Sequence, residues 1–93
     1  MPDEQLVYRV HALRRMFERH VGTTDVETVL AHGEVIENYP GDFPYPSRLL
    51  LGWVGTRPLH VVVAIDAAGR NIIVTVYEPD AANWTPDFRM RRT

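Results

Sequence analysis

A handful of side chains in this 93-residue sequence stand where moving a proton or holding an anion would be their natural chemistry. His60 stands inside PLHVVVAID (58–66), an apolar run where a valine would pack better. It brings the one side chain whose unperturbed pKa lies near neutrality. Tyr77 ends a second apolar run, and Thr75 lies two residues before it. His11 and Arg15 are four residues apart in HALRRMFERH (11–20), a spacing that puts both on one face of a helix with Glu18 and Arg19. Ser47 and Arg48 sit where a proline-rich stretch meets a run of leucines. Phosphate binding beside a proton-transferring imidazole is the chemistry such residues offer. Each also has a plain structural reading. His60 and Tyr77 can bond to each other on a half-exposed face, Arg15 and Glu18 can pair on a solvated helix, and Arg48 can be an ordinary surface cation at a strand start.

Which reading holds depends on the elements that carry these residues. Residues 11–20 have helical period, with Ala12, Leu13, Met16 and Phe17 as one apolar stripe. Gly22 ends that helix. A second helix follows in VGTTDVETVLAHG, with Thr24 as N-cap, Glu27 at the capping-box spacing, Val26, Val29 and Leu30 as its apolar face, and Gly33 as its stop. LVYRV, ahead of both, is either an edge strand or a helix lead-in.

After Gly33 the period changes to two. EVIENY, RLLLGWVG, RPLHVVVAID and NIIVTVYEPD read as strands, the last two rich in β-branched residues. PGDFPYPS (40–47) is a loop and AAGR a turn. The fold class is therefore α+β: two N-terminal helices on one face of a three- to four-stranded antiparallel sheet.

A hairpin closing symmetrically about Ala68 and Gly69 sets His60 opposite Tyr77, Val62 opposite Thr75, Ala64 opposite Ile73 and Asp66 opposite Asn71. Leu59, Val61, Val63, Ile65, Ile72, Val74 and Val76 then form a wholly apolar face for the helices. His60, Thr75 and Tyr77 gather on the other face, at the end remote from the turn.

Composition narrows the classes. The length suits one domain over 1–93, with residues 1–5 and 90–93 frayed. The net charge of −2 gives no global signal for nucleic acid, and without cysteine there is no thiol chemistry. The four histidines, at 11, 20, 32 and 60, have no metal-ligand spacing, so neither metal nor cofactor is expected. No apolar run approaches the ~20 residues of a membrane helix, and a cytoplasmic protein is the expectation. Trp53 and Trp84 read as packing residues.

HALRRMFER, GEVIENYP, YPSRLLLG, PLHVVVA and IIVTVYEPD…W, in that order, resemble the bacterial domain-of-unknown-function family numbered four-two-five-eight, over about residues 8 to 88. Its members are similar in size and layout to the RelE and MqsR toxins of type II toxin–antitoxin systems, and are often encoded beside zinc-finger antitoxins. The resemblance implies a RelE-like fold and a metal-independent endoribonuclease, with messenger RNA as substrate and a small zinc-finger or DNA-binding antitoxin as partner. Such toxins act through histidine, arginine, lysine and tyrosine on the open face of the sheet. Carried onto this sequence, that makes His60, Tyr77 and His11 the acid–base candidates. Arg48, Arg15, Ser47 and Thr75 become the phosphate-binding candidates. The chain departs from a typical toxin in having no lysine: its ten basic residues are all arginine. The rival expectation is a non-catalytic protein-interaction domain of the same fold. A basic, concave open face favours the enzyme, whereas a buried His60 and an exposed apolar edge favour the interaction domain.

Overall fold

A computed structural model describes residues 6–93; the fraying expected of residues 1–5 lies outside them. The order is β1 (Leu6–Tyr8), α1 (Val10–Arg19), α2 (Thr23–His32), β2 (Glu34–Tyr39), β3 (Ser47–Val54), β4 (Arg57–Ile65) and β5 (Asn71–Tyr77). The sheet has five strands in the order β1-β5-β4-β3-β2. LVY is thus an edge strand, and it pairs parallel with β5, so the sheet is mixed rather than wholly antiparallel. A parallel pair needs a long crossover connection, and α1, α2 and the strands that follow them supply it between β1 and β5.

Both helices lie on one face, α1 over β5 and α2 over β3. Ala12, Met16, Val26 and Val29 meet Leu50, Leu59, Val61, Val63, Ile73 and Val76 there. The stripe of α1 is narrower than its sequence implies. Ala12 and Met16 are buried, but Leu13 is 47% and Phe17 85% exposed. α1 ends at Arg19, short of Gly22, and is capped by His20, which takes the left-handed conformation (φ 57°). The cap of α2 is also displaced: Gly22 is the N-cap, and its N–H donates to Asp25 Oδ2 at 2.9 Å, so Thr24 and Glu27 do not form the box.

Gly33 does end α2, for reasons of space. Its φ of −76° is open to any residue. A Cβ there, however, would stand 2.5 Å from the Val29 carbonyl oxygen and 2.7 Å from that of Leu51. Neither oxygen can retreat without disturbing the helix end or β3. Gly33→Ala is expected to destabilise the protein by about 1–3 kcal/mol, the usual cost of overpacking. An unchanged urea midpoint would contradict this account of Gly33.

The β4–β5 hairpin corrects the predicted register in its outer half. The turn spans 67–69, with Gly69 at φ 82° and Asp66 N–H donating to the Arg70 carbonyl. Ile65 therefore pairs with Asn71, Ala64 with Ile72 and Val63 with Ile73. Val74 is then an unpaired bulge residue, which shifts the register back by one. Val62 meets Thr75 and His60 meets Tyr77, as the symmetric turn predicts. The bulge brings Ile73 into the core and puts Ile72 on the far face opposite Ala64; Ile65, expected in the core row, is 43% exposed.

That far face is covered, not open. Leu49, Leu51, His60 and Ala64 share it and are all buried. Residues 80–93 form a strap over its His60 end. Trp84 and Arg91 make a bridge that folds the strap on itself, and Trp84 is 3% exposed. Arg89 pairs with Glu34 and Arg91 with Glu37, tying the strap to β2. Residues 90–93, expected to fray, include Arg92, whose N–H reaches the Asn83 carbonyl and whose side chain reaches that of Ala81.

Candidate functional site

His60 is completely buried between the sheet and the strap. Its Nε2 lies 2.9 Å from the Phe88 carbonyl oxygen and its Nδ1 3.1 Å from the Tyr77 hydroxyl. A carbonyl only accepts, so Nε2 carries the proton, and Nδ1 accepts from the Tyr77 O–H. The imidazole is neutral with both nitrogens satisfied. Its ring meets Trp84 edge to face at 4.4 Å and Tyr77 at 5.1 Å. Phe88 takes a left-handed φ of 61° to aim its carbonyl inward, a conformation that costs roughly 1–2 kcal/mol outside glycine. Arg91 lies over the other aromatic partner, its guanidinium carbon 4.7 Å from the Trp84 ring centre.

Burial pushes the pKa of His60 below its ordinary 6.5; the Phe88 carbonyl and Glu37 oppose that shift, and Arg91 adds to it. The folded protein thus binds this proton less readily than the unfolded chain. The stability it contributes is full above pH 6.5 and is lost as pH falls through the lower folded value. A urea titration of wild type against His60→Gln should show the two midpoints converging as pH drops from 7.5 to 5. A gap that widens instead would mean that His60 is stabilised in its charged form.

Burial likewise raises the pKa of the Tyr77 phenol. Beside the strap, Tyr39 donates to Glu37 at 2.5 Å, and burial with that bond lifts its pKa to about 12. Burial alone would raise the pKa of Glu37, but bonds from Tyr39 and Arg91 bring it below the usual value.

The open, polar part of the site lies around the edge of the sheet. β1 pairs only with residues 71–73 of β5, so β5 beyond them has β4 on one side and a cleft on the other. That cleft, of about 390 Å³, is lined by His11, Arg15 and Arg19 from α1 and by Thr75, Tyr77 and Glu78 at the end of β5. Asp80, Asn83 and Trp84 of the strap complete it. Four predicted site residues, His11, Arg15, Thr75 and Tyr77, thus come together here, with His60 directly behind Tyr77. Among the described residues, neither Arg15 nor Arg19 has an ion-pair partner. Glu78 is engaged by Arg57, which also holds the Arg19 and His20 carbonyls at the end of α1.

Ser47 and Arg48 are elsewhere. Ser47 pairs with Ala64, four residues along β4 from His60, about 13 Å at strand rise. With Asn38, Pro40, Pro46 and Ile65 they line a separate depression of about 280 Å³, and the Ser47 hydroxyl is bound to Asp42 at 2.5 Å. Sequence reading missed Arg19 as a wall of the cleft, although it follows Arg15 at the same four-residue spacing. It also missed Phe88, whose backbone carbonyl carries no signature of residue type. Among the described residues no group of three or more His, Asp or Glu side chains is placed to hold a metal, and no helix is long and apolar enough to cross a membrane.

The family described as Domain of unknown function (DUF4258) matches residues 8–78. Comparison with curated proteins and with solved structures finds no match.

Proposed function

Because this chain belongs to the DUF4258 family, a family whose description assigns no activity, we propose from the cleft itself that it is a toxin-like, metal-independent endoribonuclease of RelE-like fold. One observation carries the reading: α1 and β5 bring His11, Arg15, Arg19 and Tyr77 to a single polar cleft, and among the described residues Arg15 and Arg19 have no ion-pair partner. Metal-free RNA cleavage needs a base for the 2′-hydroxyl proton, cations on the charge that develops at phosphorus, and an acid for the leaving 5′-oxygen.

Arg15 and Arg19 hold the phosphate. Tyr77 takes the 2′-hydroxyl proton as it passes its own to Nδ1 of His60, to which it already donates. Burial disfavours the imidazolium that forms, and the Phe88 carbonyl on Nε2 and the nearby Glu37 offset part of that cost. His11 gives a proton to the 5′-oxygen. His60 acts through Tyr77 and does not touch RNA. Ser47 and Arg48 have no part at this cleft. The reading places the protein in the cytoplasm, beside messenger RNA and a small antitoxin. It is tested by incubating purified protein with RNA in the presence of a chelator, with His11→Ala and Arg15→Ala as controls.

A second reading, a non-catalytic protein-interaction domain, is favoured by a different observation. Val10, Leu13 and Phe17 are 73%, 47% and 85% exposed and lie on the flank of α1 away from the cleft. With His60 buried, this reading predicts no cleavage by wild type. It also predicts that Phe17→Glu leaves the fold intact, which a thermal melt within about 0.5 kcal/mol of wild type would confirm.

A further inference from the structure

The cleft has two unlike ends. Its α1 wall is cationic. Its strap wall, Asp80 and Asn83, lies beyond the family-matched residues and offers a carboxylate and a carboxamide. Oδ1 of Asp80 accepts the Ala82 N–H at 2.8 Å. Among the described residues, Oδ2 of Asp80 and the Asn83 side chain have no protein partner. The backbone around them is fastened, with Asn83 and Trp84 N–H both donating to the Asp80 carbonyl and His60 gripping the strap at Phe88. These two polar groups therefore rise from a fastened stretch of backbone and line the same cleft as the two arginines.

Resting on the reading above, we infer that the cleft binds a nucleotide by both ends, with the phosphate on Arg15 and Arg19 and a guanine base edge on Asp80 and Asn83. A volume of about 390 Å³ falls within the usual range for small-ligand sites, about 300–1,000 Å³. A carboxylate oxygen only accepts hydrogen bonds. It suits guanine, whose Watson–Crick edge presents adjacent N1–H and N2–H donors. It disfavours adenine, which presents the N1 lone pair there, and uracil, whose single N–H is flanked by two carbonyls. The Asn83 carboxamide can donate to O6 of the same base. The α1 wall thus handles the phosphate that every nucleotide shares, and the strap selects among bases.

The test is calorimetric binding of guanosine, inosine, adenosine and uridine 3′-monophosphates to the full chain. Guanosine should bind about tenfold tighter than adenosine or uridine, the scale of one good polar pair at a base edge. Inosine, which lacks the N2 amino group, should fall between. Asp80→Asn keeps an oxygen for the Ala82 N–H and should erase the preference, while Arg15→Gln should weaken all four ligands alike. Equal binding of the four, or a preference that survives Asp80→Asn, overturns the inference. RNA cleavage with no preference for guanosine sinks the base reading alone. A guanosine preference without RNA cleavage sinks the ribonuclease reading and leaves the nucleotide site standing.

Discussion

Replacing His60 with alanine is expected to lower the stability of the protein by about 3 kcal/mol, a large share of the ~5–15 kcal/mol typical of a small domain. The imidazole is fully buried and touches Trp84 and Tyr77 on its two sides. Its loss leaves a cavity under the strap, and large-to-small changes at such sites cost about 2–5 kcal/mol. It also orphans the Phe88 carbonyl, at about 1–3 kcal/mol for a buried unsatisfied group. The Tyr77 hydroxyl loses its acceptor as well, on a side chain that borders the cleft. The contributions overlap, since a water entering the cavity would satisfy the carbonyl and fill the space. Urea unfolding at pH 7.5 measures the effect. His60→Gln, whose amide N–H can still reach Phe88, should recover part of it. A His60→Ala midpoint equal to wild type would mean that the strap is held elsewhere.

His11→Ala is expected to reduce RNA cleavage about 100- to 10,000-fold, the contribution of one positioned general acid, with no change in melting temperature. His11 is exposed on α1 and makes no contact that the core needs. Arg15→Ala should cost about 100- to 1,000-fold, comparable to removing one donor that stabilises charge in a transition state. Tyr77→Phe removes the bond to His60 and should lower both cleavage and stability, which separates it from the two α1 variants. Rates come from the fragmentation of an end-labelled RNA with chelator present. Wild-type protein that leaves RNA intact at micromolar concentration would end the ribonuclease reading. A partner captured through Val10, Leu13 and Phe17 would then become the function to pursue.

The pairing of His60 with Tyr77 and the choice of helix-bearing face followed from alternation along β4 and the position of the turn. Residue type reports both, because side chains on a strand alternate strictly. The pairing survived although the predicted turn was off by one residue, because the Val74 bulge restores the register before Thr75. Nothing in NIIVTVY marks which residue bulges; the choice is made by the core, which takes Ile73 and Val76 together.

The sequence by itself determined the order of elements from α1 onward, the α+β class, the helix stop at Gly33 and the partner His60 meets across its hairpin. These depend on periodicity, on turn residues and on contacts between neighbours in one hairpin. The tertiary structure alone decided that the face carrying His60 is closed. A polar-rich terminus such as AANWTPDFRMRRT has no period to reveal where it lies. Its position depends on Trp84 finding the His60 ring, on Arg89 and Arg91 finding Glu34 and Glu37, and on a backbone carbonyl at Phe88. Each of those pairs joins residues more than twenty positions apart. The same holds for the cleft. His11 and Arg15 share a helix face in any helix, but they meet Thr75 and Tyr77 only because β1 is three residues long and leaves the end of β5 uncovered.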